Sequence, residues 1–182
     1  MDMWFTADSH FFHRNVAVTH RGFPSPAAMN DALVERWNDT VRPGDIVYHL
    51  GDVSFGKPNE TADVLARLSG EIHLIVGNHD KRVARWSGAL ASVESYREIK
   101  VAGQRIVLFH YPIASWHQIH RGSWHLHGHT HGTLPEDPTI ARMDVGVDTH
   151  PELRPWHLDE VAARLATRTG TAGDHHQRSD HA

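Results

Sequence analysis

Acidic, amide and imidazole side chains follow several apolar runs of the chain, at the point where each run ends. Four of these runs end at Asp8, Asp52, Asn78 and His110. Carboxylate and imidazole groups bind divalent metal ions, and imidazole also exchanges protons near neutral pH. The pattern therefore indicates metal-assisted catalysis. The residues with this potential are Asp8, His10, Asp52, Asn78, His79, His110, His129 and His131.

The apolar runs that precede these residues predict buried strands. Short runs of this kind cover residues 3–7, 46–50 and 72–76. Between them, residues 27–40 and 60–68 carry apolar side chains at helical spacing. The alternation favours parallel strands that are covered by helices. Because ligands bind beyond the carboxyl ends of such strands, we expect the side chains at the strand ends to converge.

From residue 92 onward the pattern changes to successive strand-like runs. Residues 94–101 and 104–109 predict two strands, and Ala102-Gly103 between them is typical of a hairpin turn. The change supports a second sheet beside the first. Further runs predict two more strands and a final helix, at residues 124–127, 143–147 and 158–166.

The sequence predicts one folded domain over residues 1–166 and a disordered tail over residues 167–182. The chain has 182 residues, which is enough to bury a sizeable core in one domain. The tail is rich in threonine, glycine, aspartate, histidine and arginine, so it has little to bury. Its histidines are better explained by a solvated segment than by a metal site.

The order of five short motifs resembles that of the calcineurin-like metallophosphoesterase superfamily. The motifs are D-x-H at 8–10, G-D at 51–52, G-N-H-D at 77–80, a histidine at 110 and G-H-x-H at 128–131. Each motif alone is common, but five in this order after strand-like runs form a specific signal. Residues 4–13 are similar to the start of small bacterial and phage-type members. The resemblance implies an α/β fold, a two-sheet β-sandwich flanked by helices in four layers (αββα).

The resemblance also implies a pair of metal ions and the residues that bind them. Asp8, His10 and His131 would bind one ion, Asn78, His110 and His129 would bind the other, and Asp52 would bridge the two. A shared carboxylate suits this arrangement because it offsets the repulsion between two nearby cations. A donor set without sulfur suits Mn²⁺, iron or Zn²⁺. By analogy with the family we expect Mn²⁺ or an Fe/Mn pair, with Zn²⁺ or Ni²⁺ as alternatives.

His79 has a different role in the family pattern, which assigns it to phosphate binding and to protonation of the leaving oxygen. Asn78 would contact the substrate as well as a metal. The implied reaction is in-line attack of a metal-bound hydroxide on phosphorus, without a covalent phosphoenzyme. Many relatives carry a second aspartate in G-D-x-x-D, where this chain has Phe55. Whether Asp80 or a backbone carbonyl orients His79 instead is left open.

Other residues near the motifs have two interpretations. His13 and Arg14 could contact the substrate phosphate, or they could form a solvated loop pair. Lys57 is more simply a surface lysine. His125 and His127 are better explained as packed side chains than as ligands of a third metal. Four further residues could stack on a nucleobase or close the edge of a core: Trp116, His117, His120 and Trp124.

Composition excludes several classes of protein. The formal net charge of −4 argues against an extended nucleic-acid-binding surface, which needs many basic residues. No apolar stretch is long enough for a membrane helix, and the N-terminus has no signal-peptide pattern, so we expect a cytoplasmic location without membrane contact. The chain has no cysteine and therefore no thiolate metal site.

Taken together, these features predict a metal-dependent phosphoesterase that acts on a small phosphate ester, which could be a nucleotide. An open site without an arginine cluster slightly favours phosphodiesters over phosphomonoesters. The alternatives are a non-catalytic binding module that keeps the fold, and a nuclease that acts on nucleic-acid ends. The oligomeric state is left open.

Overall fold

The computed structural model describes residues 1–168, which contain nine strands and three α-helices. The helices are α1 (Pro26–Thr40), α2 (Pro58–Leu65) and α3 (Leu158–Leu165). The strands are β1 (Met3–Thr6), β2 (Ile46–His49), β3 (Glu71–Ile75), β4 (Ser92–Glu94), β5 (Arg97–Val101), β6 (Gln104–Leu108), β7 (Trp124–His127), β8 (Arg142–Asp144) and β9 (Trp156–His157). Within the described residues, each helix is too short or too polar to cross a membrane.

The first sheet has the strand order β4-β3-β2-β1-β9. Strands β1 to β4 are parallel, with Phe5 opposite Tyr48 and Tyr48 opposite His73. The short strand β9 pairs antiparallel with β1 at the edge. The alternation of strands and helices in the first half of the chain therefore produces the parallel sheet that it predicts.

The second sheet has the order β5-β6-β7-β8. Strands β5 and β6 form an antiparallel hairpin, whereas β6, β7 and β8 are parallel. The hairpin turns at Ala102 and Gly103, where φ is 48° and 87°. This turn is the one that the sequence predicts.

The two sheets pack face to face through side chains that alternate along each strand. Phe5, Leu50 and Ile75 of the first sheet share a buried cluster with Leu108 and Leu126 of the second. The outer face of the first sheet is covered by apolar residues of α1 and α2. The predicted fold class, two sheets flanked by helices, is confirmed. The outer face of the second sheet is covered by the segment that carries Trp116 and Ile119, which pack on Val107.

The structure corrects the prediction of one strand over residues 94–101. Strand β4 ends at Glu94 in the first sheet and β5 begins at Arg97 in the second, so the chain crosses between sheets at residues 95 and 96. Both halves have strand-forming side chains, and a continuous run does not reveal a change of sheet. Arg97 then binds the Glu94 carboxylate at 2.7 Å across this crossing.

Other element boundaries differ from the sequence predictions by a few residues. Helix α2 begins at Pro58 because the backbone N–H of Lys57 donates to the Glu60 carboxylate at 2.7 Å, which caps the helix. A π-helix at Val16–His20 and strand β9 were not predicted. All but the first two residues of the predicted tail lie outside the described residues.

Candidate metal centre

The predicted site residues lie at one edge of the sandwich, just beyond the carboxyl ends of five strands. Asp8 follows β1, Asp52 follows β2 and Asn78 follows β3. His110 follows β6 and His129 follows β7 in the second sheet. Backbone hydrogen bonds tie these loops together, from the Asp8 N–H to the Gly51 carbonyl at 2.9 Å and from the Gly128 N–H to the His110 carbonyl at 3.0 Å.

The first group of converging side chains is formed by Asp8, His10 and His131. One ligand atom of each lies within 4.8 Å of the others. The Nε2 atoms of His10 and His131 are 3.2 Å apart, and His10 Nε2 is 3.9 Å from Asp8 Oδ1. This spacing allows the three side chains to bind one metal ion.

The second group contains Asp52, His110 and His129, again with ligand atoms within 4.8 Å of one another. Asn78 Oδ1 faces this group at 3.0 Å from His110 Nε2. Asp52 Oδ2 lies 3.6 Å from His110 Nε2 and 3.9 Å from His10 Nε2. The Asp52 carboxylate therefore lies between the two groups, where a bridging ligand would be.

Several of these residues have a strained backbone. A positive φ is uncommon for residues other than glycine and costs about 1–3 kcal/mol. The surrounding structure must therefore hold these residues in place, and Arg21 contributes by donating to the carbonyls of Asp8 and Ser9 at 2.6 and 2.8 Å. The site residues with positive φ are Asp8 (55°), His10 (49°), Asp52 (57°), His129 (69°) and His131 (48°).

The glycines of the motifs allow the loops to approach one another closely. A Cβ atom on Gly51 would lie 2.6 Å from both the Gly77 nitrogen and His110 Nδ1. A Cβ atom on Gly128 would lie 2.5 Å from Asp8 Oδ2. Side chains at these positions would displace the ligands, which explains why glycine precedes Asp52 and His129.

Hydrogen bonds orient two of the imidazole rings. His110 Nδ1 donates to the Leu50 carbonyl at 2.7 Å, and His131 Nδ1 donates to Asp148 Oδ2 at 2.7 Å. With Nδ1 protonated, each ring directs an Nε2 lone pair into the site. His110 Nε2 then faces the Asn78 oxygen, and His131 Nε2 faces His10. The acceptors His110 Nε2 and Asn78 Oδ1 repel each other at 3.0 Å, and a cation between them removes the repulsion.

The prediction from sequence missed Arg21 and Asp148, which support His131. Arg21 binds Asp148 with two hydrogen bonds, of 2.7 Å from Nε and 2.8 Å from Nη2. The Arg21 side chain is only 2% exposed. The apolar run at residues 143–147 ends at Asp148, so the strand-end signal that indicated the other acids was present here as well. No local signal indicates Arg21, which is 127 positions away.

Burial and neighbouring charges shift the pKa values of these groups. Burial raises the pKa of Asp8 well above its usual range, and it lowers the pKa of His10 to about 2. Burial also raises the pKa of Asp148, but hydrogen bonds from Arg21 and His131 outweigh this and hold it well below normal. The hydrogen bond to Asp148 raises the pKa of His131. A neutral His10 imidazole is the form that binds metals.

The residues fit divalent metal ions. Asp8 Oδ1 is buried and has no hydrogen-bond partner among residues 1–168, and the same holds for His10 Nδ1. A buried carboxylate oxygen without a partner is costly. A cation bound beside Asp8 would satisfy it. The donors are carboxylate oxygens, an amide oxygen and imidazole nitrogens, a set that divalent transition metals accept.

His79 lies at the rim of the site with its side chain 44% exposed. Its Nε2 is 3.9 Å from Asp52 Oδ2, and its backbone N–H donates to Asp52 Oδ1 at 2.8 Å. The Phe55 ring contacts it with centroids 4.7 Å apart. The Asp80 carboxylate instead accepts from the N–H groups of Gly77, Asp52 and Val53. Asp80 therefore orients the backbone of the site and not the His79 ring.

The remaining candidates divide between the site and the core. The His13 ring lies 5.7 Å from His10 and 4.1 Å from Phe55, and Arg14 beside it is exposed. Trp116 is buried against His125 on the outer face of the second sheet, so it does not line the metal site. His127 is also buried, with Nδ1 2.8 Å from the Gly128 carbonyl.

Comparisons with known proteins show which sequences and which fold this chain is similar to. Residues 1–142 match the family model of the calcineurin-like phosphoesterase superfamily domain. The chain is 36% identical to protein MJ1445 of Methanocaldococcus jannaschii, over 87% of this chain and 88% of that one. It is 29% identical to the gene 66 protein of Mycobacterium phage D29, over 88% and 94%. The fold resembles protein AQ665 of Aquifex aeolicus, with a TM-score of 0.72, 23% identity and coverage of 89% and 98%.

Proposed function

The chain belongs to the calcineurin-like phosphoesterase superfamily, and we propose that it hydrolyses phosphodiesters at a dinuclear metal centre. The family implies a phosphoesterase that uses divalent metal ions. The proposal of two metal ions rests on the position of the Asp52 carboxylate between His10 and His110. Its Oδ2 lies 3.9 Å from His10 Nε2 and 3.6 Å from His110 Nε2. One shared carboxylate between two ligand groups supports two ions rather than one.

The predicted ligands of this chain would form two metal-binding sites. Asp8, His10 and His131 would hold one cation, and Asn78, His110 and His129 would hold the other, with Asp52 common to both. Two divalent cations, when bound, lower the pKa of water and offset charge on the phosphoryl oxygens. The donor set without sulfur suits Mn²⁺, iron or Zn²⁺. By analogy with the family, Mn²⁺ or an Fe/Mn pair is the first choice, and Zn²⁺ or Ni²⁺ are alternatives.

His79 is the proposed general acid. Its side chain is exposed at the rim, its backbone N–H donates to Asp52 Oδ1 at 2.8 Å, and its Nε2 lies 3.9 Å from Asp52 Oδ2. An imidazole there can donate a proton to the leaving oxygen. Asn78 and His79 would contact the phosphate, and His13 and Arg14 would extend this contact on the other side of Phe55.

Two pockets beside the site support a diester substrate. One, of about 610 Å³, is lined by His129, His131 and the π-helix residues Val16 and His20. Another, of about 320 Å³, adjoins His79. A diester carries two substituents on phosphorus, and each pocket can accept one of them. A monoester would use only one.

The alternative of a non-catalytic binding module has less support. Such a protein needs neither a complete ligand set nor an accessible general acid. Here the seven predicted ligands converge, and His79 is open to solvent. The nuclease alternative predicts that activity on DNA ends falls steeply with added salt, because binding to a strand releases counterions.

The test is an activity screen of protein stripped of metal and reconstituted with Mn²⁺, Ni²⁺, Zn²⁺ or Mg²⁺. We expect bis-para-nitrophenyl phosphate to be hydrolysed faster than para-nitrophenyl phosphate, and Mn²⁺ to support the reaction. Asp52→Asn should reduce the rate to background because it removes the charge shared by both sites. Elemental analysis of the purified variant should show less than two bound ions.

Two further variants make the test specific. His79→Asn should keep its metal ions but slow the reaction about 10²–10⁴-fold. Asp63→Asn changes an exposed acid on α2 in the same way and should behave as the wild type. Full activity after exhaustive chelation, or a near-normal rate in Asp52→Asn, would contradict the dinuclear proposal.

A further inference from the structure

The pocket beside His79 has features that the hydrolysis of a simple ester does not require. It has a volume of about 320 Å³ and continues outward from the rim of the metal site. Its floor includes Trp86, which is buried, and its walls carry both aromatic and basic side chains. The aromatic and basic residues that line it are Phe55, His79, Lys81, Arg82 and Trp86.

Lys81 and Arg82 are exposed basic residues without an acidic partner among residues 1–168. Both residues line the pocket. Exposed cations without carboxylate partners remain available to an anion. The arginines that do have acidic partners are Arg21, Arg67, Arg97, Arg105, Arg154, Arg164 and Arg168.

The acid that lines this pocket does not offset these two positive charges at the surface. Asp80 is 2% exposed. Its carboxylate turns inward and accepts hydrogen bonds from the backbone N–H groups of Gly77, Asp52 and Val53, at 2.8, 2.8 and 3.0 Å. The open side of the pocket therefore presents the ammonium and guanidinium groups and no free carboxylate.

The positive surface continues away from the metal site. A groove of about 630 Å³ meets the pocket at Pro58 and is lined by Lys57 and Arg85. Glu60 also lines this groove as an exposed acid, and its carboxylate accepts the Lys57 backbone N–H at the start of α2. Four basic residues thus lead outward from His79 on the surface of a protein whose net charge is −4.

Phe55 provides an apolar ring in the wall of the pocket, beside His79. Its side chain is 42% exposed. One part of the ring contacts His79, with centroids 4.7 Å apart, and another contacts His13 at 4.1 Å. An aromatic face that is held in place and open to solvent suits the stacking of a sugar or a base.

We propose that this pocket is a subsite for a second phosphate group of the substrate, bound by Lys81 and Arg82 with Phe55 against the adjoining sugar or base. The inference rests on the proposed function, in which the scissile phosphate lies at the Asp/His groups. The substrate class is then a nucleotide that carries a further phosphate. That phosphate belongs either to a phosphodiester of a single nucleoside that carries a second phosphate, for which a nucleoside bisphosphate is the binding probe, or to the next nucleotide of a strand.

The test compares two ligands that differ by one phosphate. Isothermal calorimetry on the Mn²⁺-loaded protein would measure the Kd of thymidine 5′-monophosphate and of thymidine 3′,5′-bisphosphate. We expect the bisphosphate to bind about tenfold more tightly, because two charge-assisted contacts to exposed cations are each modest. In the double variant Lys81→Gln/Arg82→Gln the two ligands should bind equally.

A matched control distinguishes binding in the pocket from an effect of the net charge of the protein. Arg42→Gln/Lys100→Gln removes the same charge from exposed residues that do not line this pocket. This control should keep the tenfold preference. A third ligand, a 5′-phosphorylated thymidine pentanucleotide, distinguishes the two sources. If the pentanucleotide binds more tightly than the bisphosphate, and this advantage is lost in Lys81→Gln/Arg82→Gln, the second phosphate belongs to a strand. Equal binding of the two ligands indicates a nucleoside bisphosphate.

The inference and the proposed function can fail separately. If the wild type binds both thymidine ligands equally, or if the preference survives in the pocket variant or disappears in the control, the subsite is wrong. Hydrolysis of bis-para-nitrophenyl phosphate is measured on the same preparations. If the wild type does not hydrolyse this compound with any of the metals, the proposed phosphodiesterase activity is wrong. The ratio of the two Kd values still tests the subsite.

Discussion

Asp148 and Arg21 determine how His131 enters the metal site. The Asp148 carboxylate accepts from His131 Nδ1 and from two nitrogens of the buried Arg21 guanidinium. Arg21 also donates to the carbonyls of Asp8 and Ser9. A single arginine thus supports both a ligand's carboxylate partner and the strained backbone of the first motif. Partners of this kind set the tautomer and direction of a ligand ring.

We expect Asp148→Asn to weaken the binding of one of the two metal ions by about 10–100-fold. The neutral amide accepts more weakly from His131 and leaves the Arg21 charge without its bidentate partner. Calorimetric titration of the metal-free protein with Mn²⁺ measures this as a change in one of two binding steps.

The control for this variant is Asp63→Asn on the exposed face of α2, which should titrate as the wild type. Circular dichroism at the titration temperature checks that the Asp148→Asn protein is folded. Two unchanged binding steps in folded Asp148→Asn protein would show that His131 needs no such partner.

At the scale of elements, α3 closes the sandwich. Val161 and Leu165 of this helix join the buried cluster between the sheets. The helix begins with a capping box, in which the His157 N–H donates to the Glu160 carboxylate at 2.7 Å. Arg154 binds the same carboxylate through two nitrogens, at 3.0 and 2.7 Å. The start of α3 is therefore stabilised by one ionised side chain.

The stability that Glu160 contributes should depend on pH. Hydrogen bonds from Arg154 and the His157 N–H lower the pKa of Glu160 from 4.5 to about 2. Because the pKa of Glu160 is lower in the folded state than in the unfolded state, its ionised form stabilises the fold at pH values above the unfolded-state pKa. This stability is lost as the pH falls through the folded-state pKa. We expect Glu160→Gln to reduce the free energy of unfolding at pH 7 by about 1 kcal/mol. The difference should shrink below pH 4.5 and vanish near pH 2.

Urea unfolding of both proteins between pH 7 and pH 2 measures this difference. Glu35→Gln on the exposed face of α1 serves as the comparison and should unfold as the wild type at each pH. A difference for Glu160→Gln that stays constant over the range would mean that the charge of Glu160 does not stabilise the start of α3.

For the whole molecule, the site joins the edges of the two sheets and stores strain there. Five site residues have positive φ, and burial raises the pKa of Asp8 well above its usual range. Both features disfavour the metal-free folded state. Ions that bind the folded chain and not the unfolded chain must stabilise it by mass action.

We therefore expect Mn²⁺ to raise the Tm of metal-free protein. At a concentration 100 times the Kd, one site contributes about 2.7 kcal/mol, which corresponds to roughly 5–10 °C for a domain of this size. Thermal unfolding followed by circular dichroism, with and without the metal, measures the shift. Added chelator should reverse it.

The variant Asp52→Asn should show a smaller shift, because it lacks the carboxylate that contacts both ligand groups. A Tm that does not change with Mn²⁺, Zn²⁺ or Ni²⁺ would indicate that these side chains do not bind metal in the folded chain.

The sequence alone determined the features that depend on local chemistry. Short apolar runs predicted the strands, helical spacing predicted the helices, and Ala102-Gly103 predicted the hairpin. An acid, amide or histidine after each run identified the residues that lie together at the sheet edge. This worked because the carboxyl ends of parallel strands meet at one edge, so position relative to the strand is enough.

Only the tertiary structure decided the features that depend on pairing over long distances in the chain. The run through residues 94–101 divides between two sheets, and β9 pairs with β1 far away in sequence. Arg21 meets Asp148 across 127 positions, and Lys81 and Arg82 have no acidic partner among the described residues. Residue types fix which groups can interact, but the packing of the two sheets selects which of them meet.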